Sequence, residues 1–313
     1  MIRILVTGAS GFIGRQCLPK LVAKGYEVHA VSRQRASVKT SPGVSWHERN
    51  LLQPGCPTEL ISQVRPEYLL HLAWYAVPDK FWEARQNIEW VRASLELFCA
   101  FADNAGKRLV AAGSCSEYEC GMGECQEDRT PLLPSTLYGT SKHALGSILH
   151  PWSRQVGLSS AWGRVFYLYG PYENPSRLVA YVIRTLLHGK LASCSGGTQV
   201  LDFIHVEDAA SAFIALAESE VQGTVNIGSG IPVAVRDVVQ EIGRQLKHLE
   251  LIQFGARSSG SELRRFWANS EKLAKEVGWT PRYNLASGIE QTIEWWRSSA
   301  ATAVGDRTPR EEE

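Results

Sequence analysis

The chain begins MIRILVTGASGFIG, a short apolar run that ends in a turn with glycines at 8, 11 and 14. No other stretch restricts the fold as strongly. Gly8 permits a tight turn, Gly11 lets the backbone approach a pyrophosphate, and Gly14 lets the next helix pack on the strand. A glycine string alone is weak evidence. Here it follows an apolar strand and precedes RQCLPKLVAKG (15–25), whose spacing is helical. Pro19 is an awkward residue in that helix, tolerable only within the first turn or so.

The same alternation continues. EVHAVS (27–32) reads as a second strand, and EYLLHLAW (67–74) as a buried one. KRLVAAGSC (107–115) is another strand, and 158–171 is strand and loop. Residues 82–106 and 137–157 read as long helices between them. Strands alternating with helices predict an α/β protein with a Rossmann-type doubly wound parallel sheet. The rhythm changes after Pro171, where a smaller C-terminal α/β substrate domain is expected. The dinucleotide-binding domain is assigned 1–170, with 200–222 returning to it. The substrate domain is assigned 171–199 and 223–298, and 299–313 reads as a disordered polar tail.

Composition narrows the partners. A net charge of +1 in 313 residues gives no global field to attract nucleic acid or an anionic membrane. No apolar run reaches membrane-spanning length, and the N-terminus lacks the features of a signal peptide. A cytoplasmic location is therefore expected. Seven cysteines, an odd count, argue against a disulfide framework. Cys115, Cys120 and Cys125 are five residues apart, unlike a zinc site, and no metal is expected.

Two stretches carry chemistry. In AVSRQRAS (30–37) the second strand ends on Ser32 and Arg33 where an acid would bind both ribose hydroxyls of NAD. A guanidinium suits a 2′-phosphate. Arg33, with Arg35 adding to it, therefore favours NADP(H), with NAD(H) as the alternative. In YGTSK, Tyr138 and Lys142 stand at i and i+4 on one helix face. A lysine beside a phenol is expected to lower the phenol's pKa toward the working range. Ser114 ends the preceding strand, where ligands sit in such sheets, and can hydrogen-bond the same substrate oxygen.

TGASGFIG, HLAW (71–74), Ser114, YGTSK, RVFYLYGP (164–171), LDFIHVEDAA (201–210), VNIGSG (225–230) and VGWTP (277–281) together resemble the extended short-chain dehydrogenase/reductase family. This is the group of nucleotide-sugar epimerases, dehydratases and 4-ketoreductases. The resemblance spans Met1 to about Arg297. It implies that Gly8, Gly11 and Gly14, with Ser10, Phe12 and Ile13, hold the cofactor. Asn50 and Leu51 would lie near the adenine, with Leu72 and Ala73 completing the set. It further implies Tyr138 as acid/base, Ser114 as its helper, and Lys142 as a ligand of the nicotinamide ribose. Ser116, Tyr167 and Arg257 are taken as substrate-binding. A homodimer paired through helices near 82–104 and 138–156 is also implied.

Three departures from the family pattern bear on activity. The 4,6-dehydratases carry Asp and Glu after the serine, whereas this chain has Cys115 and Ser116. The usual diphosphate-contacting Arg is Leu201, which transfers that contact to Arg257, Arg264 or Arg265. The usual Asn is Tyr167. The expected activity is NADPH-dependent reduction of a 4-keto-6-deoxy nucleotide sugar at C4. The alternatives are a nucleotide-sugar 4-epimerase, a reductase of a non-nucleotide carbonyl compound, and an NADP-binding sensor without catalysis. His71 is read as a core residue, His205 and Asp208 as structural, and Glu117 has no assigned place.

Overall fold

The computed structural model describes residues 1–33, 42–119, 121, 123–257 and 265–305. Its strands are β1 (Arg3–Thr7), β2 (Glu27–Ser32), β3 (Val44–Glu48), β4 (Tyr68–His71), β5 (Arg108–Ser114), β6 (Gly123–Cys125) and β7 (Ser159–Val165). They continue with β8 (Tyr167–Tyr169), β9 (Ala192–Ser193), β10 (Val200–His205), β11 (Gly223–Ile227), β12 (Pro232–Ala234), β13 (Ile252–Gln253) and β14 (Arg265–Ala268). The helices are α1 (Gly14–Ala23), α2 (Cys56–Val64), α3 (Gln86–Asp103), α4 (Leu137–Gln155) and α5 (Leu178–Leu187). After them come α6 (Val206–Glu218), α7 (Val235–Leu246), α8 (Glu271–Lys275) and α9 (Leu285–Gly305).

Alternation along the strands builds a sheet covered on both sides. Ile4 and Val6 of β1 enter one apolar cluster, whereas Leu5 enters the other. Leu70 and Leu69 of β4, and Val110 and Leu109 of β5, divide in the same way. Seven strands pair in the order β11-β7-β5-β4-β1-β2-β3, every neighbour parallel. The chain order reverses between β1 and β4, so a crevice opens at their C-terminal ends. This is the expected Rossmann-type fold.

The second sheet runs β12-β10-β14-β6, with β8 beside β10. A small pair, β9 and β13, completes the strands. Helices α5, α7 and α9 share an apolar cluster with Val182, Ile242 and Ile289. On α7 the buried residues recur as Val235, Val238, Val239, Ile242 and Leu246, the spacing of one helical face.

Several segment assignments from sequence are corrected. Strand β10 belongs to the second sheet, and only α6 of the 200–222 segment returns to pack against α1 and β5. β11, expected in the substrate domain, is the edge strand of the large sheet. β6 and β8, expected in the first domain, pair in the second sheet. Strands of three to six residues carry too little pattern to reveal their partners. Pro19 sits in the second turn of α1, where it withholds an N–H from the Arg15 carbonyl. Helix α9 continues to Gly305, through part of the segment expected to be disordered. Among the described residues no helix is long and apolar enough to cross a membrane.

Candidate functional site

At the crevice the turn after β1 is held against the end of β4. Gly8 has φ +66°, and a Cβ there would lie 2.7 Å from Leu72 C and Ala73 N. Backbone alone fits, which brings the open N-terminus of α1 to the cavity. That terminus has no side-chain cap; the Arg15 and Gln16 N–H groups are taken by the Gly11 and Ile13 carbonyls, and the positive end of the helix dipole is what would favour an anion there. The turn, the strand ends and α4 line a cavity of about 790 Å³.

Gly8, Ser10, Gly11, Phe12, Ile13 and Gly14 all line the cavity, as do Leu51, Leu72 and Ala73. Ser32 and Arg33 line its far end. The Ser32 hydroxyl lies 3.1 Å from that of Ser10, which ties the end of β2 to the glycine turn. Arg49, which the sequence reading did not select, joins them. It lines the same end of the cavity, its N–H donates to the Ser32 carbonyl at 3.0 Å, and its guanidinium donates to the Glu48 carbonyl at 3.0 Å and to Gln63 Oε1 at 3.4 Å. No motif marks Arg49; β2–β3 pairing brings it there.

One assignment is not met here. Asn50 does not line the cavity; its Oδ1 accepts the Leu52 N–H at 3.2 Å and closes a local turn. Arg35 falls outside the described residues.

At the other end, α4 starts beside the turn that follows β5. Thr136 caps the helix by accepting the Gly139 N–H at 3.1 Å. A Cβ on Gly139 would lie 2.3 Å from the Ser116 carbonyl oxygen, so glycine lets Tyr138 approach Ser114. Ser114, Tyr138 and Lys142 all line the cavity, together with Ser116 and Tyr167. Burial pushes Tyr138 up to about 12, while the Ser114 hydroxyl and the Arg177 charge pull it down. Lys142 is not among the groups that lower it, a correction to the expected lysine effect. The lysine is turned to other partners: Nζ donates to the Ala112 carbonyl at 2.7 Å and lies 3.7 Å from the centre of the Trp74 ring. Burial brings Lys142 down to about 7, partly opposed by Glu117.

The substrate end also holds residues that no motif announced. Phe81 meets the Tyr138 ring edge-on at 4.8 Å, and Trp82 does so at 5.9 Å. Glu173, 5% exposed, lines the cavity with Arg177. Glu173 Oε2 has no hydrogen-bond partner, and burial pushes its carboxyl up to about 8. Dispersed aromatics and a lone acid in YGPYENP resemble ordinary core and loop residues in sequence. Only the crossing of β8 and the 74–82 loop brings them together.

Arg257 is not among the cavity-lining residues; its guanidinium lies 4.4 Å over the Tyr181 ring. Arg265 is exposed at the start of β14, and Arg264 is outside the described residues. Leu201 is buried with Cys115, Phe166 and Phe266.

The remaining candidates are structural. His71 lies between Thr7 Oγ1 at 2.8 Å and Ser94 Oγ at 2.9 Å. Glu117 is fully buried; it accepts from Ser114 N–H, Trp162 Nε1 and Arg164 Nε, the last at 2.8 Å. His205 caps α6, and Asp208 accepts the N–H groups of Arg282 and Tyr283. Among the described residues no disulfide joins the cysteines.

Residues 4–228 match the model of the NAD dependent epimerase/dehydratase family. Over 335 residues the chain is 31% identical to a dTDP-glucose 4,6-dehydratase of Shigella flexneri, covering 94% of this chain and 92% of that protein. It is 25% identical to UDP-glucuronate 4-epimerase 4 of Arabidopsis thaliana, covering 95% of this chain and 76% of that one. The crystal structure of a Thermus thermophilus UDP-glucose 4-epimerase, a complex with NAD, superposes with a TM-score of 0.84 at 25% identity. That match covers 95% of this chain and all of the other.

Proposed function

Because the chain belongs to the NAD-dependent epimerase/dehydratase family, we propose that it is the enzyme that reduces a 4-keto-6-deoxy nucleotide sugar at C4 with NADPH. The observation that carries this reading is that two arginines, Arg33 and Arg49, line the cofactor end of the cavity with Ser32, where no acid stands. An acid there would repel a 2′-phosphate, whereas two arginines attract it. The uncapped start of α1 and the Gly8 cradle fit the pyrophosphate.

When bound, the dinucleotide supplies the hydride. Ser114 accepts the Ser116 N–H at 3.1 Å, which leaves its own hydroxyl hydrogen to donate to the substrate carbonyl. Tyr138, held neutral by burial, delivers a proton to the C4 oxygen as the alcohol forms. A phenol that stays protonated up to about 12 suits a proton donor better than a base. Lys142 orients the nicotinamide ribose. Arg177, on the substrate side, meets the diphosphate in place of Arg257. Cys115 and Ser116 stand where dehydratases eliminate water with acidic residues, so elimination is not part of this reading. Pairing as a homodimer belongs to the same reading, through α3 and α4, on which Ile88 and Ile148 are exposed.

A 4-epimerase is the second reading, supported by the likeness to the two epimerases described above. The two differ in stoichiometry. The test supplies NADPH with dTDP-, CDP-, UDP- and GDP-linked 4-keto-6-deoxy sugars in turn, and separately with the corresponding nucleotide hexoses, following absorbance at 340 nm and the product by NMR. One NADPH consumed per C4 alcohol formed supports the reductase. C4 inversion of a nucleotide hexose without NADPH consumption supports the epimerase and contradicts the reductase.

A further inference from the structure

The loop after β4 delivers Trp74 against the working end of α4. The indole Nε1 donates to Asn87 Oδ1 at 2.8 Å. Asn87 is fully buried, and its own Nδ2 donates to the Phe81 and Ala84 carbonyls at 2.7 and 2.9 Å. The ring is therefore locked to the start of α3. Its face lies 3.7 Å from Lys142 Nζ, and its plane meets the Tyr138 ring edge-on at 6.5 Å. The ammonium thus sits between the Ala112 carbonyl and an indole face, with a second indole, Trp162, at 5.9 Å.

We propose that Trp74 is a positioning residue for Lys142, its anchored indole face fixing the ammonium between the end of β5 and Tyr138. A desolvated cation gains most from an aromatic face because little water competes for it. Lys142 is 4% exposed. The other titratable groups around it come from three elements: Glu117 after β5, His71 on β4, and Tyr138 one turn earlier on α4. Glu117 is already engaged by Arg164, Trp162 and the Ser114 N–H, so it acts on the lysine only at a distance. Trp74 accordingly favours the charged lysine against the burial that opposes it.

The proposal rests on Lys142 being a working group of the proposed site, yet its test needs no substrate. Lysine Cε is labelled with ¹³C in the full-length protein, the Lys142 signal is identified with Lys142→Met, and its titration is followed by NMR. In Trp74→Leu the Lys142 midpoint is expected to fall by about one pH unit, with Trp74→Phe in between. A merely structural Trp74 would leave that midpoint in place in both variants, which overturns the proposal. Where Trp74→Leu does not fold, Trp74→Phe decides alone: a lower midpoint supports the proposal and an unchanged one overturns it. A wild-type protein that does not turn over any keto sugar contradicts the proposed function and leaves this titration result standing.

Discussion

Lys142 Nζ donates to the carbonyl oxygen of Ala112 at 2.7 Å, so an amine at the centre of the site is tied to β5 instead of to a carboxylate. Burial then sets its pKa at about 7, below the usual 10.5. The unfolded chain keeps the proton up to about 10.5, so it binds more protons than the folded chain between these values. Stability therefore rises with pH across that window and is lost as pH falls through about 7. Lys142→Met removes the buried charge. It should stabilise the protein at pH 6.5, by ~2 kcal/mol or more, and much less at pH 9.5. Calorimetric unfolding at the two pH values measures this. Keto-sugar reduction should fall at least about a hundredfold in the same variant.

Glu173 titrates in the opposite sense. Its folded carboxyl is raised to about 8 by burial, against an ordinary 4.5. Its stabilising contribution is complete below about 4.5 and is lost as pH rises through about 8. Relative to wild type, Glu173→Gln should therefore gain melting temperature more at pH 8.5 than at pH 5. Equal shifts at both values would contradict the assignment of a buried, protonated carboxyl.

The Glu117–Arg164 pair is expected to support the site without touching substrate. Both side chains are at most 5% exposed, and Arg164 also lies over the Tyr118 ring at 4.5 Å. Removing one partner strands a buried charge. Arg164→Met should cost about 3–5 kcal/mol in urea unfolding, and Arg164→Met with Glu117→Leu should cost less than the single change.

His71 should not appear in any pH–activity profile. Burial, with Lys142 nearby, lowers it to about 3, so it stays neutral across the working range. Its ring-proton NMR shifts should show no imidazolium-sized change from pH 5 to 9, beyond the small response to the nearby Lys142 charge. A midpoint near 6.5 would contradict the buried Thr7–His71–Ser94 arrangement.

What was legible in the sequence follows from how local the signals are. The glycine turn, Ser32-Arg33 and YGTSK are contiguous strings with a strand or helix on a known side, and all reach the cavity. The parallel sheet was legible because its strands are apolar and separated by helical spacing. Arg49, Trp74, Glu173 and Arg177 reach the site only through strand pairing and loop crossing, which no local pattern encodes. Asn50 and Arg257 failed for the complementary reason. Their chain positions suggested a ligand, but a local turn and an aromatic face hold them. The lysine effect on Tyr138 failed because i,i+4 spacing places two residues on one face without setting which way each side chain points.

In the proposed function, Arg33 and Arg49 select the phosphorylated cofactor. Titration calorimetry of NADPH and NADH on wild type, Arg33→Ala and Arg49→Ala tests it most directly. Wild type is expected to bind NADPH at least about tenfold tighter than NADH, a difference of roughly 1.4 kcal/mol. Each substitution should weaken NADPH binding and leave NADH unchanged. NADH binding as tight as NADPH, with both variants unaltered, would contradict the claim and place the epimerase reading first.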